Sequence, residues 1–279
     1  MPDDIKFIVR LLLLCSLRLF VASDDTECVR TLHKSLVDPR GELKSTWNFS
    51  GEGTNGFICK FTGVNCWSPN DNTVRSFNLV SLGLQGRFPE GLEGCRMMEG
   101  LNLSGNSFSG PIPSDISRWL PHLSYLDLSH NSFSGPIPSN ITELSRLSSM
   151  DLSYNSFSGP IPANIRDMAY LETLSLQHNK LQGGIPWQFC SLARPVSFSV
   201  SDNLLSGLVP PCFENFSASA FAGNRRLCGA PLGSCRLHGI SDESIIGAAV
   251  GFVVGFVMAF YFPQWFVFSR RLHPYIFRI

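Results

Sequence analysis

Apolar residues recur along the middle of the chain with a fixed period. Five similar segments each begin with an apolar residue, and a degenerate first copy precedes them. The six copies start at Phe77, Leu101, Leu126, Met150, Leu174 and Phe198, at steps of 24, 25, 24, 24 and 24 residues. Apolar and polar residues alternate at the start of each copy, which predicts a short strand with one buried face. Successive strands are expected to stack into one parallel sheet.

A consensus of leucines and asparagine makes this interpretation more specific. The pattern LxxLxLxxN is met from Leu123 to Asn131 and again from Leu171 to Asn179. This pattern, with a period of about 20–29 residues, is typical of leucine-rich repeats. The sequence therefore predicts an α/β leucine-rich repeat solenoid, with about six repeats over residues 73–210 and a parallel sheet on the concave face.

Two residue types repeat at fixed positions just after each predicted strand. The asparagine column is Asn106, Asn131, Asn155, Asn179 and Asn203, and the phenylalanine column is Phe108, Phe133 and Phe157. The amides can bond backbone groups left unpaired where the chain leaves each strand. The phenyl rings are expected to stack as a buried spine. The Ser-Gly-x-Ile-Pro stretch is predicted to turn the chain back across the convex side.

Cysteines on both sides of the repeats indicate capping segments. No repeat buries its core alone, so both ends need caps. The N-terminal cap is predicted at residues 24–72, and the C-terminal cap with a juxtamembrane stretch at 211–241. An extracellular chain permits disulfides. The predicted disulfides are Cys59–Cys66 and Cys228–Cys235.

The remaining extracellular cysteines have no clear partners in the sequence. Cys95 and Cys190 fall near repeat ends, and we interpret them as buried free thiols. A bond between Cys28 and Cys212 stays open, although the two residues lie in opposite caps.

The two ends of the chain predict its location. Residues 1–23 resemble a secretory signal, with an uncleaved anchor as the alternative. Residues 244–268 are apolar over a length that can span a bilayer. Arginines beyond this span place the short tail, 269–279, in the cytosol. We expect a single-pass type I plasma-membrane protein. Three glycines at four-residue spacing predict lateral helix–helix contact: Gly247, Gly251 and Gly255.

Composition narrows the function further. The 279 residues include 22 Lys+Arg and 22 Asp+Glu, so the formal net charge is zero. This balance argues against a broadly basic nucleic-acid binder. Charged residues are only 16 % of the chain, against about 25 % in typical soluble domains. This low charge agrees with a chain that is partly embedded in a membrane.

No catalytic or cofactor-binding motif is convincing. Residues 51–56 match GxGxxG, but a sequon precedes them and a cysteine follows, so a cap loop is the better interpretation. The histidines lack metal-ligand spacing, and protein-kinase motifs are missing. We expect no enzyme activity, no cofactor and no metal.

The concave columns are the candidate functional residues. Strand register exposes Tyr125 and Asp127 in one repeat and Asp151 in the next. Just beyond successive strands lie His130, Tyr154, His178 and Asp202, which stacking should align with about 5 Å between neighbours. Tyrosine and histidine combine contact area with polar tips, which suits a protein interface. The alternative is that these are ordinary solvated positions.

Four sequons predict N-linked glycans in a secreted region. They begin at Asn48, Asn102, Asn140 and Asn215. Asn102 differs from the others because its register places it on the concave face, where a glycan would obstruct binding.

The repeat and cap motifs resemble a known family. The form Leu-Ser-x-Asn-x-Phe-Ser-Gly-x-Ile-Pro is similar to the plant-specific class of extracellular leucine-rich repeats. The cap segments 27–30, 45–49 and 56–67 resemble the ectodomain of the BIR group of inactive leucine-rich repeat receptor kinases. The resemblance implies lateral binding to SERK-type co-receptor kinases or other leucine-rich repeat receptors, restraining their signalling.

Two alternatives stay open at this point. Some short plant leucine-rich repeat proteins inhibit cell-wall enzymes such as polygalacturonases, although the predicted anchor argues against that role. The chain could also be a truncated product without signalling function, since its tail is too short for the kinase-like domain of its apparent family.

Overall fold

The computed structural model describes residues 24–51, 56–192 and 197–235. The described residues up to Ser234 belong to one compact unit and Cys235 to a second. The predicted signal, the predicted membrane span with Gly247, Gly251 and Gly255, and the tail lie outside this part of the chain. Within it, no helix is both long and apolar enough to cross a membrane.

The described chain contains fourteen short strands in two sheets. They are β1 Val64–Cys66, β2 Val74–Asn78, β3 Gln85–Gly86, β4 Gly100–Asn102, β5 Ser107–Gly110, β6 Tyr125–Asp127, β7 Ser132–Pro136, β8 Ser149–Asp151, β9 Ser156–Pro160, β10 Thr173–Ser175, β11 Lys180–Gly183, β12 Ser197–Ser199, β13 Leu204–Leu208 and β14 Arg226–Cys228. The first sheet has the order β1-β2-β4-β6-β8-β10-β12. It is parallel except for β1, which pairs antiparallel with β2.

The first sheet is the predicted concave sheet, with the predicted register. Residues one repeat apart stand side by side, so that Leu126 pairs with Met150 and Met150 with Leu174. These apolar residues point into the core and are at most 3 % exposed. The period in the sequence thus corresponds to the lateral step between strands.

The second sheet was not predicted. It has the order β14-β13-β11-β9-β7-β5-β3. Three of its strands, β5, β7 and β9, contain a Ser-Phe-Ser-Gly stretch, whose last two residues begin the segment predicted to turn. Serine, phenylalanine and serine alternate, so each stretch buries one ring and exposes two hydroxyls, as a strand does. In β7, for example, Phe133 is fully buried between two exposed or half-buried serines.

Short helical turns connect the two sheets on the outer side. Two α-helices are described, α1 Thr26–Ser35 in the cap and α2 Ile116–Trp119. The 3₁₀ turns are Phe49–Gly51, Ile58–Lys60, Leu92–Gly94, Ser139–Glu143, Ala163–Asp167, Trp187–Ser191, Pro211–Phe213 and Ala218–Phe221. Pro138, Pro162 and Pro186 each precede such a turn in an extended conformation, because proline fixes φ and favours the start of a helical turn.

The phenylalanine column is the buried spine of the repeats. Phe108, Phe133 and Phe157 are fully buried. Their ring centroids lie 6.0 and 6.2 Å apart, with interplanar angles of 8° and 10°. Each ring therefore covers the next, and no repeat leaves its spine residue open to solvent.

The asparagine column joins neighbouring repeats through backbone bonds. The Asn155 amide oxygen accepts a bond from the Phe133 N–H of the preceding repeat, at 2.9 Å. Its Nδ2 donates to the Leu128 carbonyl of that repeat, also at 2.9 Å, and to the Ser153 carbonyl of its own at 3.0 Å. Each asparagine amide thus pairs with backbone N–H and C=O groups where the chain leaves a strand, as the sequence predicts.

The column has a further member, Asn224, in the C-terminal cap. Asn224 accepts from the Leu205 N–H at 3.0 Å and donates to the Val200 carbonyl at 2.8 Å. It follows Asn203 by 21 residues instead of 24, so the period alone did not reveal it. The C-terminal cap is therefore a shortened repeat.

The free-thiol interpretation of two cysteines is wrong. Cys28 bonds to Cys95, and Cys190 bonds to Cys212, which also excludes a Cys28–Cys212 bond. Cys28 lies on α1, which packs directly against the outer turn that carries Cys95, and a Cβ at Gly94 would meet the Cys28 Cβ at 3.0 Å.

The four cysteines of the two predicted disulfides are all disulfide-bonded. Cys59 bonds to Cys66 in the N-terminal cap. Cys228 and Cys235 are both disulfide-bonded. The cap core beside Cys59 includes Trp47, whose indole N–H donates to the Thr62 carbonyl at 2.9 Å.

Replacing Asn179 with alanine should destabilise the protein. This 9 % exposed side chain accepts from the Phe157 N–H and donates to the Leu152 carbonyl, both at 2.9 Å. Leaving these buried backbone groups without a hydrogen-bond partner should lower the free energy of unfolding by about 3 kcal/mol. Urea unfolding of the purified protein measures this change. Lys180→Ala, at the next and exposed position, is the control, and equal effects would contradict the assigned role of the amide.

Candidate partner-binding surface

A row of four side chains lies just beyond the ends of the concave strands. We call His130, Tyr154, His178 and Asp202 the lateral row. The His130 and Tyr154 ring centroids are 4.1 Å apart with an interplanar angle of 11°. The Tyr154 and His178 centroids are 4.2 Å apart at 24°. His178 Nε2 lies 3.6 Å from Asp202 Oδ2. The predicted alignment is therefore a continuous stack of rings that ends in a carboxylate.

The lateral row occupies a strained backbone conformation. Its four residues have φ between 52° and 56°, the left-handed region that non-glycine residues enter at a cost of roughly 1–2 kcal/mol. The same position is Gly105 in the repeat before the row and Gly223 in the cap after it. Glycine adopts this conformation freely. The chain thus retains large side chains where the backbone favours glycine.

The backbone of the row is held on both sides. His130 N–H donates to the Ser153 carbonyl at 3.0 Å, and His178 N–H donates to the Ser201 carbonyl at 2.9 Å. The Tyr154 carbonyl accepts from the Asn131 N–H at 3.2 Å, which ties the row to the asparagine column. The rings are consequently presented on a rigid base.

A second group lies within the concave strands. Tyr125 is at the start of β6, and its hydroxyl donates to Asp127 Oδ2 at 3.1 Å. Asp127 stands directly beside Asp151 in the register of β6 and β8. We call Asp127 and Asp151 the acidic pair. In the described part of the chain, no lysine or arginine forms an ion pair with either carboxylate.

Local bonds fix the acidic pair toward the concave side. Asp127 Oδ1 accepts from the Ser129 N–H at 3.0 Å. Asp151 Oδ1 accepts from the Ser153 N–H at 2.9 Å in the same way. Each carboxylate therefore has one oxygen anchored to its own strand end. The second oxygen of Asp127 accepts from the Tyr125 hydroxyl, while that of Asp151 faces the concave side.

Tyr125 remains a hydrogen-bond donor at high pH. Burial, followed by the negative charge of Asp127 and the bond to it, raises the pKa of Tyr125 to about 12. The hydroxyl consequently keeps its proton at any physiological pH. The 39 % exposed ring adds contact area beside the acidic pair.

The structure brings the six predicted partner-binding residues onto one side of the molecule. Tyr125, Asp127 and Asp151 lie in the concave sheet, while His130, Tyr154 and His178 follow the ends of its strands. Asp202, which the row also includes, completes the stack at its C-terminal end. The Tyr125–Asp127 bond was not foreseen, because strand register does not fix side-chain direction.

The sequons occupy different faces. Asn48 and Asn215 are exposed in the two caps, and Asn140 is half-buried in an outer 3₁₀ turn. Asn102 ends the concave strand β4. The predicted position of Asn102 on the concave face is thus the observed one, whereas glycosylation of all four residues stays a prediction.

The described residues offer no metal site of the usual kind. No group of three or more His, Cys, Asp or Glu side chains lies close enough together to hold an ion in this part of the structure. The chemistry that the concave face offers is ring stacking, hydrogen bonding and negative charge.

Comparisons with known proteins agree with this architecture. Leucine-rich repeat models match residues 97–119 and 121–181. The inactive LRR receptor-like serine/threonine-protein kinase BIR2 of Arabidopsis thaliana is 43 % identical over 109 residues. That alignment covers 39 % of this chain and 18 % of BIR2, so the matched region is less than a fifth of the curated relative.

Two crystal structures from Arabidopsis thaliana are similar over a much larger share. The BIR2 ectodomain is 38 % identical, covering 77 % of this chain and 100 % of that chain with a TM-score of 0.56. A chain of the BIR3–SERK2 complex is 39 % identical, covering 76 % of this chain and 99 % of that chain with a TM-score of 0.55. The resemblance inferred from the repeat and cap motifs is confirmed.

Replacing Asp127 with asparagine should lower the pKa of Tyr125 from about 12 part of the way toward 10, because a negative charge beside the hydroxyl is removed while the burial of the ring is kept. A raised pKa means that the protonated Tyr125 contributes stability below pH of about 10, which is lost as pH rises through about 12. Phenolate absorbance during alkaline titration measures the shift, with Tyr125→Phe assigning the transition. An unchanged transition in the Asp127 variant would show that Asp127 does not contribute to the raised pKa of Tyr125.

Replacing Tyr154 with glycine should change stability by no more than about 1 kcal/mol, because relief of the left-handed strain offsets the lost ring contacts. Tyr154→Ala loses the same contacts but keeps the strain, so it should be the less stable variant. Thermal unfolding by circular dichroism compares the two. An alanine variant more stable than the glycine variant would mean that the row is not strained.

Proposed function

Because this chain belongs to the BIR-type leucine-rich repeat receptor family of plants, we propose that its concave face binds the extracellular domain of another leucine-rich repeat receptor or of a SERK-type co-receptor kinase. The binding would occur side by side at the cell surface and restrain signalling by the bound kinase. The chain itself would act by contact and not by catalysis.

The observation that carries this proposal is the lateral row. Three rings are retained in a conformation that favours glycine, and the flanking positions Gly105 and Gly223 are glycine. Left-handed non-glycine residues persist where the surroundings impose them and cluster at functional sites. A small residue satisfies the turn at the equivalent position of the first repeat, Ser81, so the turn itself does not require the large rings of Tyr154 and the two histidines.

The chemistry of the face favours a folded protein as partner. The concave positions next to the acidic pair are small and uncharged, such as Ser149, Ser175 and Ser199. They leave a smooth surface with rings along one margin. Tyrosine is enriched in protein interfaces because it provides large contact area with a polar tip. The similarity to a chain of the BIR3–SERK2 complex supports a co-receptor kinase as the partner.

The location is part of the proposal. A secretory signal at 1–23 and a membrane span at 244–268 would place the repeats outside the cell and hold them next to a membrane-anchored partner. The glycines of the span, Gly247, Gly251 and Gly255, would allow close approach of a partner helix. Confinement to one membrane raises the effective concentration of both proteins.

Removing the rings from the concave face should weaken partner binding. The variant combines four alanine substitutions: Tyr125→Ala, His130→Ala, Tyr154→Ala and His178→Ala. Loss of interface aromatic residues should raise the Kd for a SERK-type ectodomain at least about tenfold. Biolayer interferometry with the purified protein measures the affinity, after circular dichroism has shown that the variant is folded.

A matched control removes aromatic side chains from another surface. Tyr170 and Trp187 are 68 % and 67 % exposed and lie in or beside the outer turns, so the double alanine variant should bind like the wild type. Equal affinity of the four-residue variant and the wild type would reject the concave face as the binding surface. A loss caused only by the control variant would move the interface to the outer side.

A further inference from the structure

Asn102 holds an exceptional position among the sequons. It is the last residue of β4 and pairs with Asp127 of β6 in the register of the concave sheet. Its sequon, Asn102-Leu103-Ser104, runs from the concave strand into the residues that follow it. The other three sequons begin in the caps or in an outer turn. A glycan on Asn102 would therefore stand beside the proposed binding surface.

The contacts of Asn102 fix the direction of its amide nitrogen. Asn102 Oδ1 accepts from the Ser104 N–H at 3.0 Å and from the Ser104 hydroxyl at 2.7 Å. These two bonds hold the oxygen on its own strand. Nδ2 therefore points across to the next strand, where it lies 3.4 Å from the Tyr125 hydroxyl. Nδ2 is the atom that carries an N-linked glycan.

We infer that Asn102 is glycosylated and that its glycan covers Tyr125 and the acidic pair, so that the glycan and a partner protein compete for this part of the concave face. The competition rests on the proposed function, whereas the covering of Tyr125 does not. The modification thereby divides the concave face into a shielded N-terminal part and an open part at the lateral row.

The covalent step uses a lipid-linked oligosaccharide diphosphate as donor. A bond forms between Asn102 Nδ2 and C1 of the first sugar, and the bond between that C1 and the diphosphate oxygen breaks. The diphosphate leaves with the bonding electron pair, and one proton of Nδ2 is released. The amide keeps one N–H. No oxidation or reduction takes place.

The position of the first sugar follows from the direction of Nδ2. Neighbouring strands lie about 4.8 Å apart, so a sugar attached there reaches the Tyr125 ring before any residue of the lateral row. Asp127 is the register neighbour of Asn102 on β6 and binds the Tyr125 hydroxyl at 3.1 Å, so its carboxylate lies close to the same sugar. Tyr154 follows the end of β8, which is two strands from Asn102 on β4 and one strand from Tyr125 on β6. Shielding should therefore be strong at Tyr125 and weak at Tyr154.

The chain contains a matched pair of reporters for this shielding. Tyr125 and Tyr154 are 39 % and 42 % exposed, so without a glycan both rings should react similarly with a small solvent-borne reagent. A glycan at Asn102 should protect only the first. The comparison is internal to one molecule and needs no partner protein.

The experiment uses the full chain, expressed in plant cells and purified in detergent. Mass spectrometry after enzymatic deglycosylation in heavy-oxygen water determines whether Asn102 carries a glycan. Hydroxyl-radical footprinting then compares wild type with Asn102→Gln and Ser104→Ala, which both abolish the sequon. The serine variant keeps the Asn102 amide beside Tyr125, so it separates loss of the glycan from loss of the amide. Asn140→Gln, in an outer turn, removes an unrelated sequon as the control.

The expected result is an occupied Asn102 and severalfold faster oxidation of Tyr125 in both sequon variants, with little change at Tyr154 and none in the Asn140 control. In binding measurements, the two sequon variants should bind a SERK-type ectodomain with severalfold higher affinity than the wild type. An unoccupied Asn102, or equal Tyr125 oxidation in all proteins, would overturn the inference.

The binding measurements distinguish a failure of this inference from a failure of the proposed function. Wild type and sequon variants that bind the ectodomain with equal affinity would overturn the competition. If no variant binds any receptor ectodomain, the proposed function fails, and the footprint at Tyr125 alone decides whether the glycan covers the surface.

Discussion

The structure depends on the asparagine column. In each repeat the chain leaves a concave strand while its N–H and C=O groups still need partners, and a buried backbone group without a partner is costly. The amide of Asn155 supplies both kinds of bond at once, to the Phe133 N–H and to the Leu128 carbonyl. Because it joins two successive repeats, the same bonds that end a strand also set the step to the next one.

This constraint also creates the candidate binding surface. The residue before each column asparagine has a φ near 55° in the repeats that carry the lateral row, because the chain must reverse there to bring the amide inward. A side chain at that position cannot enter the core, and it stands instead at the margin of the concave face. Stacking of the repeats then aligns His130, Tyr154 and His178 at the spacing that rings need for contact. The core geometry and the functional row are two consequences of one turn.

The sequence predicts the structural features that recur with the repeat period, but not the features that deviate from that period. The concave sheet, the Phe133 stack and the lateral row follow from a period of about 24 residues, since one period is one lateral step. Asn224 was missed because the cap shortens that period to 21 residues. The second sheet was missed because the glycine and proline of β7 indicate a turn, although its serines and Phe133 alternate as in a strand.

The disulfides show the same difference between features that follow the repeat period and features that do not. Cys190 and Cys212 are 22 residues apart, close to one repeat, so a periodic argument could have paired them. Cys28 bonds across 67 residues, from a helix outside the repeats, and no period relates it to Cys95. The bond from the Tyr125 hydroxyl to Asp127 likewise depends on rotamers, which the strand pattern does not fix.

Rigidity is the property that makes this face suitable for binding. Association loses free energy when flexible side chains and loops become ordered. Here the backbone of the row is held by bonds such as that from His178 N–H to the Ser201 carbonyl, and Tyr154 is already confined between two rings. Asp127 and Asp151 are each fixed by a backbone N–H of their own strand end. Most of the ordering therefore takes place during folding, including the left-handed strain at Tyr154. A partner that meets this face finds its rings and carboxylates in place, so that little of the contact energy is lost to ordering them.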